Sequence, residues 1–213
     1  EDTAPYLAYR FRELYRRYDG ASKDEQFRAV KTEYNQLVLG MEDDLRQKIR
    51  EAQDPLARAF RYARIGNYID FSAMEHVDRG QFLGMFEQEK EVFRPEEAQS
   101  YAEFLEDCAQ AAHFVLLADN CGEIVLDKLF LQELAARFPS LEITVLVRGE
   151  EIVNDATMED AQEVGLTRLF PVLGNGSPVA GTQERSLSPE ALAVLNQAEV
   201  VLAKGQGNFE TLY

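Results

Sequence analysis

Positive charge is scarce in this chain: Lys and Arg number 22 against 38 Asp and Glu, for a formal net charge of −16. A nucleic-acid partner needs clustered Lys and Arg to neutralise phosphates, so none is expected. Docking on an anionic membrane is disfavoured on the same ground, and a soluble acidic surface is the simplest consequence of the balance. Cysteine is nearly absent. Cys108 and Cys121 alone cannot form a disulfide scaffold or a structural zinc cluster. Two histidines leave too little imidazole for a His-rich metal site, and Trp is missing altogether. No stretch approaches the roughly 20 apolar residues of a membrane span. An initiator Met and a signal-peptide pattern are also lacking, so a processed or trimmed chain working in the cytoplasm is expected. The oligomeric state leaves no mark in the sequence.

What is present suffices for a globular protein. At 213 residues and 46% hydrophobic content, the chain can form one large domain or two small ones. Residues 1–111 read as helix after helix. Tyr6, Tyr9, Phe11, Leu14 and Tyr18 recur at mixed spacings, mostly three and four residues, as one helix face does. Asp19-Gly20-Ala-Ser22 interrupts them, and Ser22 with Glu25 resembles a capping box. A second helix is predicted over about 24–51. A third opens at Asp54-Pro55 and ends near Gly66-Asn67, and further helices are expected over 78–92 and 95–111. From residue 112 the period changes. Strands are predicted at Phe114–Ala118, Ile143–Val147, Arg168–Leu173 and Glu199–Ala203. Helices are predicted between them at Glu123–Phe138, Asp155–Val164 and Ser188–Leu195. Strands alternating with helices imply βαβ units and a largely parallel sheet. The expected architecture is α/β: a helical N-terminal domain (1–111) ahead of a doubly wound domain (112–213).

The candidate site lies where apolar runs give way to polar groups. Asp119 and Asn120 follow the first strand, and in open α/β sheets ligands bind beyond the carboxyl ends of strands. A carboxylate and an amide oxygen suit Mg²⁺ or Mn²⁺, although Asp and Asn are also ordinary helix-capping and turn residues. Gly122 permits close backbone approach, and Glu123 sits on the first turn of the next helix, where an anion or a carboxylate is welcome. Cys121 lies beside them with nothing to depress its pKa. Asn154-Asp155 either supplies a further oxygen ligand or caps the helix it precedes. Arg148 either binds phosphate or marks a strand end. Lys204-Gly-Gln-Gly-Asn208 reads as a loop whose N–H groups and ammonium can surround an anion. It is not a Walker A loop, and Gly122 belongs to no GxGxxG fingerprint. Asn67 and Asp70 suggest a junction between the two halves, by packing or by lining the crevice.

These pieces, in this order, resemble the damage-control phosphatase family, once a domain of unknown function, and within it the stand-alone microbial branch. The resemblance rests on Asp54-Pro-Leu-Ala-Arg-Ala, Gly66-Asn-Tyr-Ile-Asp-Phe, Ala118-Asp-Asn-Cys-Gly-Glu, Arg148-Gly, Asn154-Asp-Ala-Thr and Lys204-Gly-Gln-Gly-Asn-Phe-Glu. It implies a three-layer α/β/α sandwich behind a helical N-terminal part, and hydrolysis of small phosphorylated metabolites such as sugar phosphates. It further implies one divalent metal ion (Mn, Mg, Ni or Co) on Asp119, Asn120 and Asp155, with Lys204 as a phosphate contact. Glu123, Arg148 and Asn208 lie in matching motifs and are expected at the substrate. Family members usually begin with a Cys-containing segment and continue past the Lys204 loop, so this α/β domain is expected to be incomplete at its carboxyl end. The attacking group is either an activated water or Asp119 itself. Two other activities stay open: S-adenosylmethionine-dependent methyl transfer to protein carboxylates, and phosphometabolite binding without turnover.

Overall fold

The computed structural model of the protein describes residues 3–19, 24–68, 84, 86 and 93–212. The first half is a succession of helices: α1 (Ala4–Asp19), α2 (Asp24–Leu39), α3 (Glu42–Glu51), α4 (Pro55–Tyr68) and α5 (Pro95–Gln110). The single helix expected over 24–51 is therefore two. At the break, the Met41 N–H donates to the Val38 carbonyl at 3.0 Å, a tightened final turn. Gly40 is a poor helix former, and the bend lets Val38, Met41, Leu45 and Ile49 enter one core. α4 starts as expected, with the Asp54 carboxylate accepting from the Ala57 N–H at 3.0 Å. It does not stop at Gly66. A Cβ on that residue would lie 2.9 Å from side-chain atoms of both Glu123 and Leu126, so Gly66 marks close packing of α4 on the helix that follows the first strand. Only part of the aromatic stripe of α1 is covered, since Phe11 and Tyr18 are 78% and 91% exposed. The Ser22 capping box, the Asn67 side chain, Asp70, His76 and most of the helix expected over 78–92 lie outside the described residues.

The second half alternates β1 (His113–Leu117), α6 (Glu123–Arg137), β2 (Glu142–Val147), α7 (Met158–Glu163), β3 (Val172–Gly174), α8 (Pro189–Gln197), β4 (Val200–Ala203) and α9 (Gly205–Leu212). Every strand pair is parallel, in the order β3-β2-β1-β4. β3 is shorter than expected because Leu166–Arg168 closes a 3-10 turn, with the Leu169 N–H bonded to Leu166 O at 3.0 Å.

β1 is apolar throughout because both of its faces are covered. Phe114 and Leu116 join the large core with α4 and α6, whereas Val115 and Leu117 pack with Leu146 and with Ala191 of α8. This makes three layers. The large core runs without a break from Tyr34 and Val38 through Tyr62 to Phe114, Phe130 and Ala161, so it spans the change of secondary structure at residue 112. Phe60 of α4 is its aromatic hinge, 5.6 Å from the rings of both Phe104 and Phe130.

Strand order places the site. The chain steps from β1 to β2 to β3 in one direction, then returns to set β4 on the other side of β1. Right-handed crossovers put α6 on one face and α8 on the other, which leaves a crevice beyond the carboxyl ends of β1 and β4. Asp119 and Lys204 each follow one of those two ends.

Candidate active site

Backbone pairing brings the two acidic loops together. Past β1, the Asp119 carbonyl accepts from the Ala156 N–H at 2.7 Å, and the Cys121 N–H donates to Asn154 O at 2.8 Å. The result is an antiparallel bridge between Asn120 and Asp155. A second bridge joins Arg148, at the end of β2, to Thr157. The cap of α7 is Thr157 rather than Asn154 or Asp155: the Asp160 carboxylate accepts from the Thr157 N–H and hydroxyl, each at 2.8 Å. Asp155 is thus released from capping and faces the crevice wall shared with Asn120.

The side chains form two linked ion clusters. In the first, the buried Arg148 guanidinium bonds the Asp155 carboxylate through Nε and lies 3.4 Å from Asp119 Oδ1 through Nη2. Its Nη1 donates to Gly181 O at 2.9 Å and to Asn208 Oδ1 at 3.2 Å. In the second, the Lys204 ammonium donates to Glu123, to Asp127 Oδ1 at 2.7 Å and to the Ala63 carbonyl of α4 at 2.9 Å. Asn120 joins the clusters, its Nδ2 donating to Asp119 Oδ2 at 2.8 Å and to Glu123 Oε2 at 3.1 Å. Asn120 Oδ1 accepts from Asn154 Nδ2 at 2.9 Å. Asn208 is fully buried and ties the cluster to the sheet, donating to Lys204 O at 2.7 Å and to Ala118 O at 3.3 Å.

Burial, and then the charges of close neighbours, shift these groups. Burial, then the negative charges of Asp155 and Glu123, push the Asp119 carboxyl up to about 7, against the pull of Arg148 and Lys204. Asp155 is raised chiefly by burial, with Arg148 opposing. Asp127 is pushed up to about 7, again chiefly by burial. Burial favours a neutral Lys204, but the Asp127 and Glu123 carboxylates outweigh it, and the ammonium is held above its ordinary range. Cys121 is raised to about 12, mainly by burial, so it rests as an unreactive thiol.

The seven residues expected as metal ligands or substrate contacts (Asp119, Asn120, Glu123, Arg148, Asp155, Lys204 and Asn208) meet in this one region. The stretch after Lys204 is not the loop expected. It is α9, which starts at once with Gly205 at φ +78°, because a Cβ there would sit 1.8 Å from Asp119 Oδ2. The amino ends of α6 and α9 both open beside Asp119 and Asn120, a favourable setting for an anion. Sequence reasoning missed Asp127, whose four-residue spacing from Glu123 on α6 was a usable signal. It also missed Lys31 and Asn35, for which no local signal exists, and Asp160, which the capping-box spacing from Thr157 could have flagged.

The donor set fits a hard divalent cation. Asp155, buried, and Asp119, half-buried, oppose each other's ionisation and are relieved by a positive charge between them, and a carboxamide stands alongside. Among the described residues, no three side chains of His, Cys, Asp and Glu gather as a metal cluster, so a cation held here would draw on the amide as well as the two acids. A pocket of about 190 Å³ adjoins Lys204 and Gly205, walled by Phe60, Ala63, Arg64 and Leu202.

Taken together, these features define an α/β/α sandwich with a buried acid, amide and cation constellation at its topological switch point. Comparison then identifies the lineage. The family model described as Damage-control phosphatase ARMT1-like domain matches residues 2–213, and the chain belongs to that family. The protein named damage-control phosphatase from Pyrococcus horikoshii is 29% identical over 199 residues, covering 92% of this chain and 65% of that protein. The chain therefore spans a little under two thirds of that relative's length. The damage-control phosphatase of Archaeoglobus fulgidus is 26% identical over 212 residues, covering 98% of this chain and 71% of the relative. The crystal structure of a DUF89 family protein from Pyrococcus horikoshii superposes with a TM-score of 0.75 at 27% identity, over 95% of this chain and 67% of that one.

Proposed function

We propose that this protein is a divalent-metal-dependent phosphatase acting on small phosphorylated metabolites, sugar phosphates among them. The observation that carries the reading is the Asn120–Asp155 backbone bridge, which sets Asp119, Asn120 and Asp155 beside one another from separate loops at the switch point. These three would hold the ion. When bound, it supplies Lewis-acid polarisation and a more acidic water. Arg148 and Lys204 bring fixed positive charge to the back of the crevice, in a buried setting where charge acts strongly on a phosphoryl group. Glu123, Asp127 and Asn208 hold those two cations in place through the bonds described above. All three Lys204 protons already have protein acceptors, so direct contact with a phosphate entails giving up one of them. Both Asp119 oxygens are engaged, one by Arg148 and one by Asn120, which suits a fixed ligand better than an attacking nucleophile and favours water in that role.

The test is turnover of p-nitrophenyl phosphate and a panel of sugar phosphates, with and without Mg²⁺, Mn²⁺, Co²⁺ or Ni²⁺. Metal-stimulated hydrolysis that is lost in Asp119→Ala and Asp155→Ala is expected. Turnover that is indifferent to metal, or full activity in both variants, overturns the assignment. Tight product binding without turnover identifies a sensor instead. Calorimetric binding of S-adenosylmethionine without hydrolysis points to methyl transfer.

A further inference from the structure

Several side chains of α2 pair with acids around the site, and Asn35 among them also bonds the Gly122 turn. Asn35 is completely buried, and its carboxamide faces the Gly122 turn and the helix α7 at once. Its Oδ1 accepts from the Gly122 N–H at 2.7 Å, two residues past Asn120. Its Nδ2 donates to Asp160 Oδ1 and to Glu163 Oε2, both at 2.9 Å, on the helix that follows the Asp155 loop. Chemistry fixes the direction of the amide, since two carboxylates need a donor and an N–H needs an acceptor. Gly122 carries a positive φ of 70°, a conformation that a hydrogen bond to its N–H helps to hold. One turn earlier on α2, the buried Lys31 ammonium lies 2.6 Å from Glu151 and 2.7 Å from Asp160 Oδ2. Asp160 in turn binds the N–H and hydroxyl of Thr157, which is bridged to Arg148. Asn35 is thus a residue of the helical half that touches both the Asp119-Asn120 turn and the helix α7 that follows the Asp155 loop.

We infer that Asn35 is a positioning residue for the site: its carboxamide sets the register of the Asp119-Asn120 loop against the Asp155 loop, and so the affinity for the divalent ion. The second clause rests on the metal-dependent reading above. The first stands on the hydrogen bonds alone. An isosteric carboxylate cannot substitute, because it would put a third negative charge against Asp160 and Glu163. A leucine would strand the Gly122 N–H in the interior.

The experiment compares wild type, Asn35→Asp, Asn35→Leu and Leu134→Ala, the last a fully buried core truncation on α6 away from the site that serves as a stability control. Two quantities are read well below the melting temperature. The first is amide hydrogen exchange at Cys121 and Ala156, whose N–H groups make the bonds between the loops. Exchange about tenfold faster in both Asn35 variants than in the Leu134→Ala control is expected, whether or not metal is present. The second is Mn²⁺ affinity by calorimetry, expected to fall by about 10- to 100-fold in the Asn35 variants and not in the control. Asp155→Ala is run beside them. Unchanged Mn²⁺ binding in Asp155→Ala defeats the metal reading, while faster exchange in the Asn35 variants still upholds the loop register. Wild-type exchange at Cys121 and Ala156 in both Asn35 variants overturns the positioning role, however the metal behaves.

Discussion

Gly205→Ala perturbs the crevice with a single methyl group. At φ +78°, an alanine is strained by about 1–2 kcal/mol relative to glycine. Its Cβ also falls 1.8 Å from Asp119 Oδ2, whereas an ordinary contact begins at 3.4 Å, so the carboxylate must retreat by about 1.6 Å. A displacement near 1 Å at a reacting centre lowers rate by about 100-fold. Gly165→Ala separates the two effects, because Gly165 has a similar φ of +75° and open space where its Cβ would go. Urea denaturation is expected to show about 1–2 kcal/mol lost in each variant, with any excess at Gly205 reporting the carboxylate shift. Hydrolysis of p-nitrophenyl phosphate in saturating Mn²⁺ is expected to fall about 100-fold in kcat/KM for Gly205→Ala and to stay near wild type for Gly165→Ala. If the two variants match in kcat/KM and in Mn²⁺ affinity, Asp119 is not a ligand held by close approach of the α9 backbone, and the proposed site geometry is wrong.

Other perturbations test the surrounding structure. The Asp127 carboxyl is held near 7 in the folded protein against an ordinary value of 3.8, so folding strengthens proton binding there. Its contribution is therefore fully present below about pH 4 and is lost as pH rises through 7, by at most about 4 kcal/mol. Asp127→Asn should flatten the fall of unfolding free energy between pH 4 and 7, and an unchanged slope in denaturation across that range refutes the assignment. Thr157→Ala removes the hydroxyl bonded to Asp160 and is expected to lose about 1 kcal/mol in urea melts; no loss would show that the cap carries no energy. Phe130→Ala empties a fully buried position 5.6 Å from the Phe60 ring and is expected to lose about 3–5 kcal/mol by calorimetry, with a loss under about 1 kcal/mol contradicting the continuous core.

Much of the site was legible because β1 is so apolar. A charge cannot follow Phe114–Ala118 inside a layer covered on both faces, so Asp119 and Asn120 had to open onto a crevice. Lys204 was legible for the same reason at β4. The shape of the segment after it was not: Gly205 and Gly207 suggested a loop, whereas Gly205 serves a close approach to Asp119 at the start of a helix. The division of the 24–51 helix escaped because Gly40 alone does not announce a bend that packing then enforces. Capping and ligation compete for Asp155 in the local sequence, and the fold removes the capping reading by putting Thr157 at the cap. Asn35 belongs to the site only through a partner 87 residues away in sequence, which no local pattern encodes, whereas Asp127, 77 residues from Lys204, was marked only by its spacing from Glu123 on α6.

The Lys204 cluster joins α4, α6 and the end of β4, with its ammonium reaching back 141 residues to the Ala63 carbonyl. Synthesis delivers these parts in sequence. At about 5–20 residues per second, Lys204 leaves the ribosome many seconds after Glu123 and Asp127. Until then those two acids have no ammonium between them, and closing α4 over α6 would seal them in as bare anions or force them to take up protons. The nascent chain therefore favours an open, hydrated α4–α6 seam, which shuts only when β4 arrives with the Lys204 counter-charge.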